Sequence, residues 1–127
     1  MPRRVVAGRR VGDLESEILD VLWSARTSLS GREVQQRLKQ DEPRAYTTVM
    51  TVLGRLVDKS LVERVDAGRS HLYRAAGDPD ELTAQAIRSL LSASAHPRVA
   101  LAHFVEDLDD PELVAELASA VKRARRR

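Results

Sequence analysis

Apolar and polar positions alternate most regularly between Arg44 and Lys59. Placed about 100° apart, as in a helix, Val49, Val52, Leu53 and Leu56 fall on one side, with Ala45, Tyr46 and Val57 at its margins. The opposite side carries Arg44, Thr47, Thr51, Arg55 and Asp58, flanked by Thr48 and Met50. This pattern predicts a helix with one stripe against a core and a face of hydroxyls and guanidiniums turned outward. Threonines stabilise a helix poorly, because β-branching restricts χ1. They suit a groove better, where a threonine can meet a base edge, a thymine methyl or a phosphate. Taken alone, the same segment also reads as an ordinary solvated surface helix, and its neighbours must decide.

Upstream, the pattern predicts two more helices. Asp13 is a suitable N-cap for a helix to about Ser24, in which Leu14, Ile18, Val21 and Leu22 share a face and Glu15, Glu17 and Asp20 lie away from it. Trp23 ends that helix as a core or interface anchor. After a short extended piece at Thr27-Ser28-Leu29, Ser30-Gly31-Arg32-Glu33 forms a capping box, with Ser at N-cap and Glu at N3. The helix it opens runs to about Gln40 and buries Val34 and Leu38; Asp41-Glu42-Pro43 breaks it. Two short helices joined by a tight polar turn, the second with an exposed polar face, form a helix-turn-helix.

Downstream, Leu61–Asp66 and Arg69–Ala75 are β-branched or alternating runs around Ala67-Gly68, which predicts a β-hairpin turning at glycine. Directly after a recognition helix, such a hairpin is a wing. Its Arg64, Arg69, His71 and Arg74 are candidates for phosphate contact. A plain solvated hairpin is the alternative.

The remainder is helical. Asp78-Pro79-Asp80-Glu81 is a helix start, after which Leu82, Ala86, Ile87, Leu90 and Leu91 recur at helical spacing to about Ser94. Pro97 opens a second helix with Val99, Leu101, Ala102, Phe104 and Val105 apolar, and Asp110-Pro111 a third with Leu113, Val114, Leu117 and Val121. Three short helices cannot form much of a core alone. Burying their faces against the same region of a second chain predicts an isologous homodimer, through Leu82, Ile87, Leu90, Leu91, Leu101, Phe104, Val105, Leu113 and Leu117. Such a dimer presents two recognition helices about one DNA turn apart. The expected organisation is therefore a disordered basic arm (1–12), a winged helix-turn-helix DNA-binding domain (13–77), a helical dimerisation region (78–121) and a basic tail (122–127). The fold class is mainly α with a small β-hairpin wing.

Composition sharpens this picture. The chain is 43% hydrophobic but only 3% aromatic, so its core is aliphatic. A net charge of +2 conceals an asymmetry: residues 1–77 hold fourteen Lys/Arg against ten acids, residues 78–121 two against nine, and the last six residues are strongly basic. A basic front and an acidic back suit a protein whose front touches a polyanion. Cysteine is absent, which excludes disulfides, thiolate catalysis and Cys-based metal sites. The three histidines, His71, His96 and His103, make no metal-ligand motif, and there is no Gly-rich phosphate loop or nucleophile motif. The acid pairs Asp80-Glu81 and Asp109-Asp110 sit at helix starts, where capping accounts for them. Neither an enzyme nor a cofactor or metal is expected. No apolar run is long enough to insert in a membrane, and the arginine-flanked Val5-Val6-Ala7 is no export sequence, so the expected compartment is the cytoplasm.

Several of these segments together resemble one family. Gly12-Asp13-Leu14-Glu15 through Val21-Leu22-Trp23, Ala45-Tyr46-Thr47-Thr48-Val49-Met50-Thr51-Val52-Leu53 with Arg55-Leu56, Lys59-Ser60-Leu61-Val62 and the wing ending His71-Leu72-Tyr73 closely resemble the penicillinase repressor (BlaI/MecI) family. His103-Phe104-Val105-Glu106 looks like the family's Asn-Phe-Val-Glu, most of all in its actinobacterial branch, where His precedes that Phe. The resemblance implies a homodimeric winged-helix repressor on an inverted repeat with a TACA/TGTA core, controlling β-lactam-response (antibiotic resistance) or related genes. It places DNA contacts at Arg44, Tyr46, Thr47, Thr48, Thr51 and Arg55, with wing support from Arg69. It also implies a membrane sensor protease that releases the operator by cleaving a bond equivalent to His103-Phe104, where His103 replaces the family's Asn. The Cys-x-Cys site of copper-responsive relatives is absent, and the Arg-rich tail from Arg123 lies outside the family pattern.

The leading expectation is thus a transcriptional repressor that binds double-stranded DNA without a small-molecule ligand. A winged-helix module that binds protein, or a regulator with an effector pocket in the C-terminal helices, are the alternatives.

Overall fold

The computed structural model describes residues 4–39 and 43–127. Met1, Pro2 and Arg3 of the expected arm, and Gln40, Asp41 and Glu42 at the expected helix break, lie outside the described residues. In chain order the elements are β1 (Arg4–Val6), β2 (Arg9–Val11), α1 (Asp13–Ala25), β3 (Leu29–Ser30), α2 (Gly31–Arg37), α3 (Tyr46–Asp58), β4 (Val62–Ala67), β5 (Ser70–Ala75), α4 (Pro79–Ala93), α5 (Pro97–Glu106) and α6 (Pro111–Arg125).

Residues 4–11 are a hairpin and not a disordered arm. Val6 pairs with Arg9 across a two-residue turn in which Ala7 and Gly8 both have positive φ, 52° and 76°. Two positive-φ residues make the tight connection that matches the twist of paired strands. The hairpin is held because Val6 and Val11 are buried in the main core. The arginines on it remain exposed, and Arg4 bonds Asp20 at 2.8 Å on α1.

Gly12, not Asp13, is the N-cap of α1; Asp13 is its first helical residue. The Glu15 carboxylate reaches back to accept from the Gly12 N–H at 3.1 Å, so the acid three residues on serves the free donor that Asp13 was expected to serve. Leu19 joins Ile18 and Leu22 as the buried stripe of α1, while Leu14 and Val21 are only partly covered. Trp23 is half-buried, and its indole N–H donates to the Gly77 carbonyl at 2.9 Å.

The core gathers Val34 and Leu38 from α2, Val49, Val52, Leu53 and Leu56 from α3, Leu61, and Leu29, Val62 and Tyr73 from a three-stranded antiparallel sheet in the order β3-β5-β4. Among the described residues no charged side chain is buried in it. The extended piece expected at Thr27-Ser28-Leu29 includes the start of a strand, β3, whose Leu29 pairs with Tyr73 and adds a third strand to the hairpin.

α3 ends in a Schellman motif. Ser60 takes φ 63°, its N–H reaches the Val57 carbonyl at 2.9 Å, and the Leu61 N–H reaches the Leu56 carbonyl at 3.0 Å. Leu56 and Leu61, the residues joined by the longer loop, are both buried. This termination sets the direction in which β4 leaves the helix. The β4–β5 loop is Gly68-Arg69, closed by an Ala67–Ser70 pair, with Gly68 at φ 66° in the first central position.

The chain forms two compact units, one through Ala86 and one from Ile87 to Arg127. The division falls inside α4 and not at the Gly77-Asp78-Pro79 link, because Leu82 is buried in the winged-helix core. The expected cap of α4 is formed: the Glu81 N–H donates to Asp78 Oδ1 at 2.8 Å and the Asp78 N–H to Glu81 Oε1 at 3.2 Å. In the second unit Asp110 caps α6 by accepting from the Glu112 and Leu113 N–H groups. α6 continues through Arg125, so most of the basic tail is helix. Lys122, Arg123 and Arg125 stand where cations favour a helix C-terminus.

Candidate nucleic-acid interface

The helix-turn-helix is built by a close approach of α2 to α3. Gly31, the first residue of α2, is buried; a Cβ there would collide with Met50 Sδ and stand 3.3 Å from Tyr46 Cε1. Glycine removes that obstacle, so the start of α2 rests directly on the first turn of α3. The capping box predicted at this point is formed in both directions. The Glu33 N–H donates to Ser30 Oγ at 3.1 Å, and the Ser30 N–H to Glu33 Oε1 at 3.0 Å. The bond from the Ser30 N–H holds the Glu33 carboxyl below its ordinary range, the Ser30 hydroxyl adds to this, and Arg37 contributes a smaller attraction.

Two further contacts fix the entrance to α3. Gln35 Nε2 donates to the Arg44 carbonyl at 2.9 Å, and the Arg32 guanidinium lies over the Tyr46 ring, 4.3 Å from its centroid. Sequence reading missed both residues. They connect positions nine and fourteen residues apart, and no spacing rule links a loop carbonyl or a ring face to a side chain that distant.

Along α3 the expected division of faces holds. Val49, Val52, Leu53 and Leu56 are buried, and Thr47, Thr48, Thr51, Arg55 and Asp58 are exposed. Arg44 and Tyr46 are half-buried, and Met50 is drawn under Gly31. Thr51 Oγ1 donates to the Thr47 carbonyl at 2.9 Å. Its proton is committed to the backbone, so on this exposed residue the oxygen is left as an acceptor beside the methyl group. At the far end, Lys59 bonds Glu15 Oε2 at 2.7 Å and the Arg10 carbonyl at 3.3 Å, tying the helix terminus to α1 and the N-terminal hairpin.

On the wing, the arginines read as candidate phosphate contacts are mostly engaged. Arg74 bonds Glu63 at 2.9 Å, directly opposite it on β4. Asp66 takes His71 at 2.7 Å, again its cross-strand partner, and Arg64 at 3.5 Å. Arg69, at the tip beside Gly68, is exposed and has no ion pair or hydrogen bond among the described residues.

The residues expected to dimerise divide. Leu82 is spent in the winged-helix core and is not available. Ile87, Leu90, Leu101, Phe104, Val105 and Leu113 are exposed in the single chain; Leu91 and Leu117 are partly covered. Val99, Val114 and Val121 are also exposed, and neither α5 nor α6 buries a single residue. His103 and Phe104 lie inside α5, whose Asp107 N–H donates to the His103 carbonyl at 3.0 Å.

A sequence profile of the penicillinase repressor family matches residues 11–123. The chain belongs to that family. It is 39% identical over 118 residues to the transcriptional regulator BlaI of Mycobacterium tuberculosis, in both strain CDC 1551 and strain H37Rv, covering 91% of this chain and 82% of the relative. A penicillinase repressor is a transcriptional regulator and not an enzyme, in accord with the absence of catalytic motifs from the sequence. Among solved structures, the hsRosR-S4 complex matches with a TM-score of 0.52 at 21% identity over 91% of this chain and 96% of that one, a likeness of fold alone. The solution structure of monomeric Bacillus licheniformis BlaI with the blaP half-operator aligns with a TM-score of 0.48 at 25% identity, over 57% of this chain and 88% of that one. No helix among the described residues is long and apolar enough to cross a membrane.

Proposed function

We propose that this penicillinase repressor is a homodimer that binds an inverted-repeat operator with a TACA/TGTA core. α3 lies in the major groove, and Arg69 reaches the sugar-phosphate backbone. The observation that carries this reading is the exposed face of α3, where Thr47, Thr51 and Arg55 stand on a helix braced from behind by a fully apolar stripe. Short side chains with methyl and acceptor groups can approach base edges closely, and Arg55 and Arg44 add charge at either end. The half-operator complex of a related BlaI supports the same class of partner.

Dimerisation through the C-terminal unit is supported by its exposed apolar side chains, Ile87, Leu90, Leu101, Phe104 and Leu113 among them. Two chains then place two α3 helices on successive turns of the duplex. Release by a sensor protease at His103-Phe104 requires α5 to unwind first, since a helical peptide bond does not fit an extended protease cleft. Retardation of DNA fragments by purified protein tests the reading. The gene's own upstream region, or a neighbour's, should shift at low salt and lose the shift as salt rises. Failure to shift any genomic fragment at low salt refutes it.

A further inference from the structure

Arg32 occupies a position with no structural need for a charge. It is exposed on α2, and among the described residues its guanidinium has no hydrogen bond or ion pair; its contact is the face of Tyr46. A guanidinium over a ring face is attracted as a whole cation, so the contact needs none of its N–H donors. The stack therefore fixes where the cation is without using its donors. Tyr46 is the first residue of α3, immediately before Thr47 of the outward face. Gly31 brings the two helices close enough for this stack, and Gln35 pins the backbone that leads into Tyr46.

When α3 of a helix-turn-helix enters the major groove, the preceding helix crosses the backbone that borders it. An exposed guanidinium with uncommitted donors at that point matches a phosphate in charge and in shape. We propose that Arg32 is a phosphate anchor on the strand bordering the groove, and that Tyr46 acts as its platform, a positioning residue and not a base reader. This rests on the DNA-binding reading above. It adds a contact that neither helix spacing nor family likeness assigned, and it changes the role of Tyr46.

Salt dependence separates the two claims. Binding of a labelled duplex carrying the TACA/TGTA repeat, and of a scrambled duplex of equal length, is measured by anisotropy from about 50 to 200 mM salt. Each phosphate neutralised contributes about 0.9 to the slope of log affinity against log salt. Wild-type protein therefore loses about 3.5-fold more affinity per half-site across that range than Arg32→Ala. The Ala variant weakens on both duplexes by the same factor, Arg32→Lys keeps the slope near wild type, and Tyr46→Phe, which keeps the ring under Arg32 and removes only the hydroxyl, leaves the ratio of repeat to scrambled affinity at its wild-type value. Far-UV circular dichroism confirms that each variant is folded, as expected for the exposed Arg32 and for a Tyr46→Phe change that keeps the half-buried ring. An unchanged slope in Arg32→Ala, or a loss confined to the repeat, overturns the anchor. A loss confined to the repeat in Tyr46→Phe overturns the platform role. Wild-type protein that binds neither duplex refutes the repressor reading itself.

Discussion

Replacing Glu15 by Gln tests whether the recognition helix is held at its far end by charge. The wild-type carboxylate accepts from Lys59 at 2.7 Å through one oxygen and from the Gly12 N–H at 3.1 Å through the other. Glu15 is 13% exposed and Lys59 28%, so the pair is mostly out of water. Burial by itself raises the Glu15 pKa. The Lys59 bond, the Gly12 N–H and the charges of Lys59 and Arg55 outweigh it, and the net direction is down. A charge-assisted hydrogen bond contributes about 1.5–3 kcal/mol. Gln keeps the Gly12 bond, and Lys59 keeps the Arg10 carbonyl and some water, so the expected loss is about 1–2 kcal/mol at pH 7. For a chain of this size that lowers Tm by about 4–8 °C. The sign with pH follows from the lowered pKa. The stabilisation is complete above the unfolded value, near 4.5, and is lost as pH falls through the folded one. Urea melts followed by circular dichroism from pH 7 to pH 3, at one protein concentration because a dimer's stability depends on it, measure the gap. Wild type and variant should converge as pH falls below 4.5 and through the lowered folded value. A gap that stays constant across that range, or is absent at pH 7, would refute the charge argument.

On the outward face, Thr51→Ala should weaken repeat binding by about 1 kcal/mol more than random-duplex binding, because it removes a methyl and an acceptor. Thr51→Val should recover most of the loss if the methyl is the reading group; equal losses on both duplexes in a mobility-shift titration would exclude base readout there. Ser60→Gly relieves a left-handed residue at the Schellman position and should stabilise the fold by about 1 kcal/mol in the same urea melts, with no change in DNA affinity. Phe104→Asp places a charge on an exposed apolar face and should shift the protein toward monomer in sedimentation at micromolar concentration, with the winged unit's circular dichroism retained.

The helices were legible wherever periodicity extended over three turns: α1, α3, α4 and α6 each start within two residues of the position that spacing and capping predict. The N-terminal hairpin was not. Its strands are three residues long, too short for an alternating pattern, and their pairing depends on Val6 and Val11 finding a core formed elsewhere in the chain. Leu82 was misassigned for a related reason. Helical spacing identifies which residues share a face but not what covers it, and here the first turns of α4 are covered by the winged helix. The threonine face of α3 was visible because one period separates it from the buried stripe. Arg32 and Gln35 were invisible because their partners are a ring and a carbonyl beyond the intervening turn.

The wing's cross-strand ion pairs bear on how such a protein would search a genome. If the wing meets a duplex as proposed, it does so with Arg74 paired to Glu63, Arg64 and His71 both bonded to Asp66, and Arg69 at the tip without an ion pair among the described residues. Each additional unopposed cation would lengthen the stay on every random sequence as much as on the operator. On that reading the carboxylates of the wing would act as a brake on indiscriminate residence. They would leave discrimination to the helix and let the protein depart quickly from the sites it is not meant to occupy.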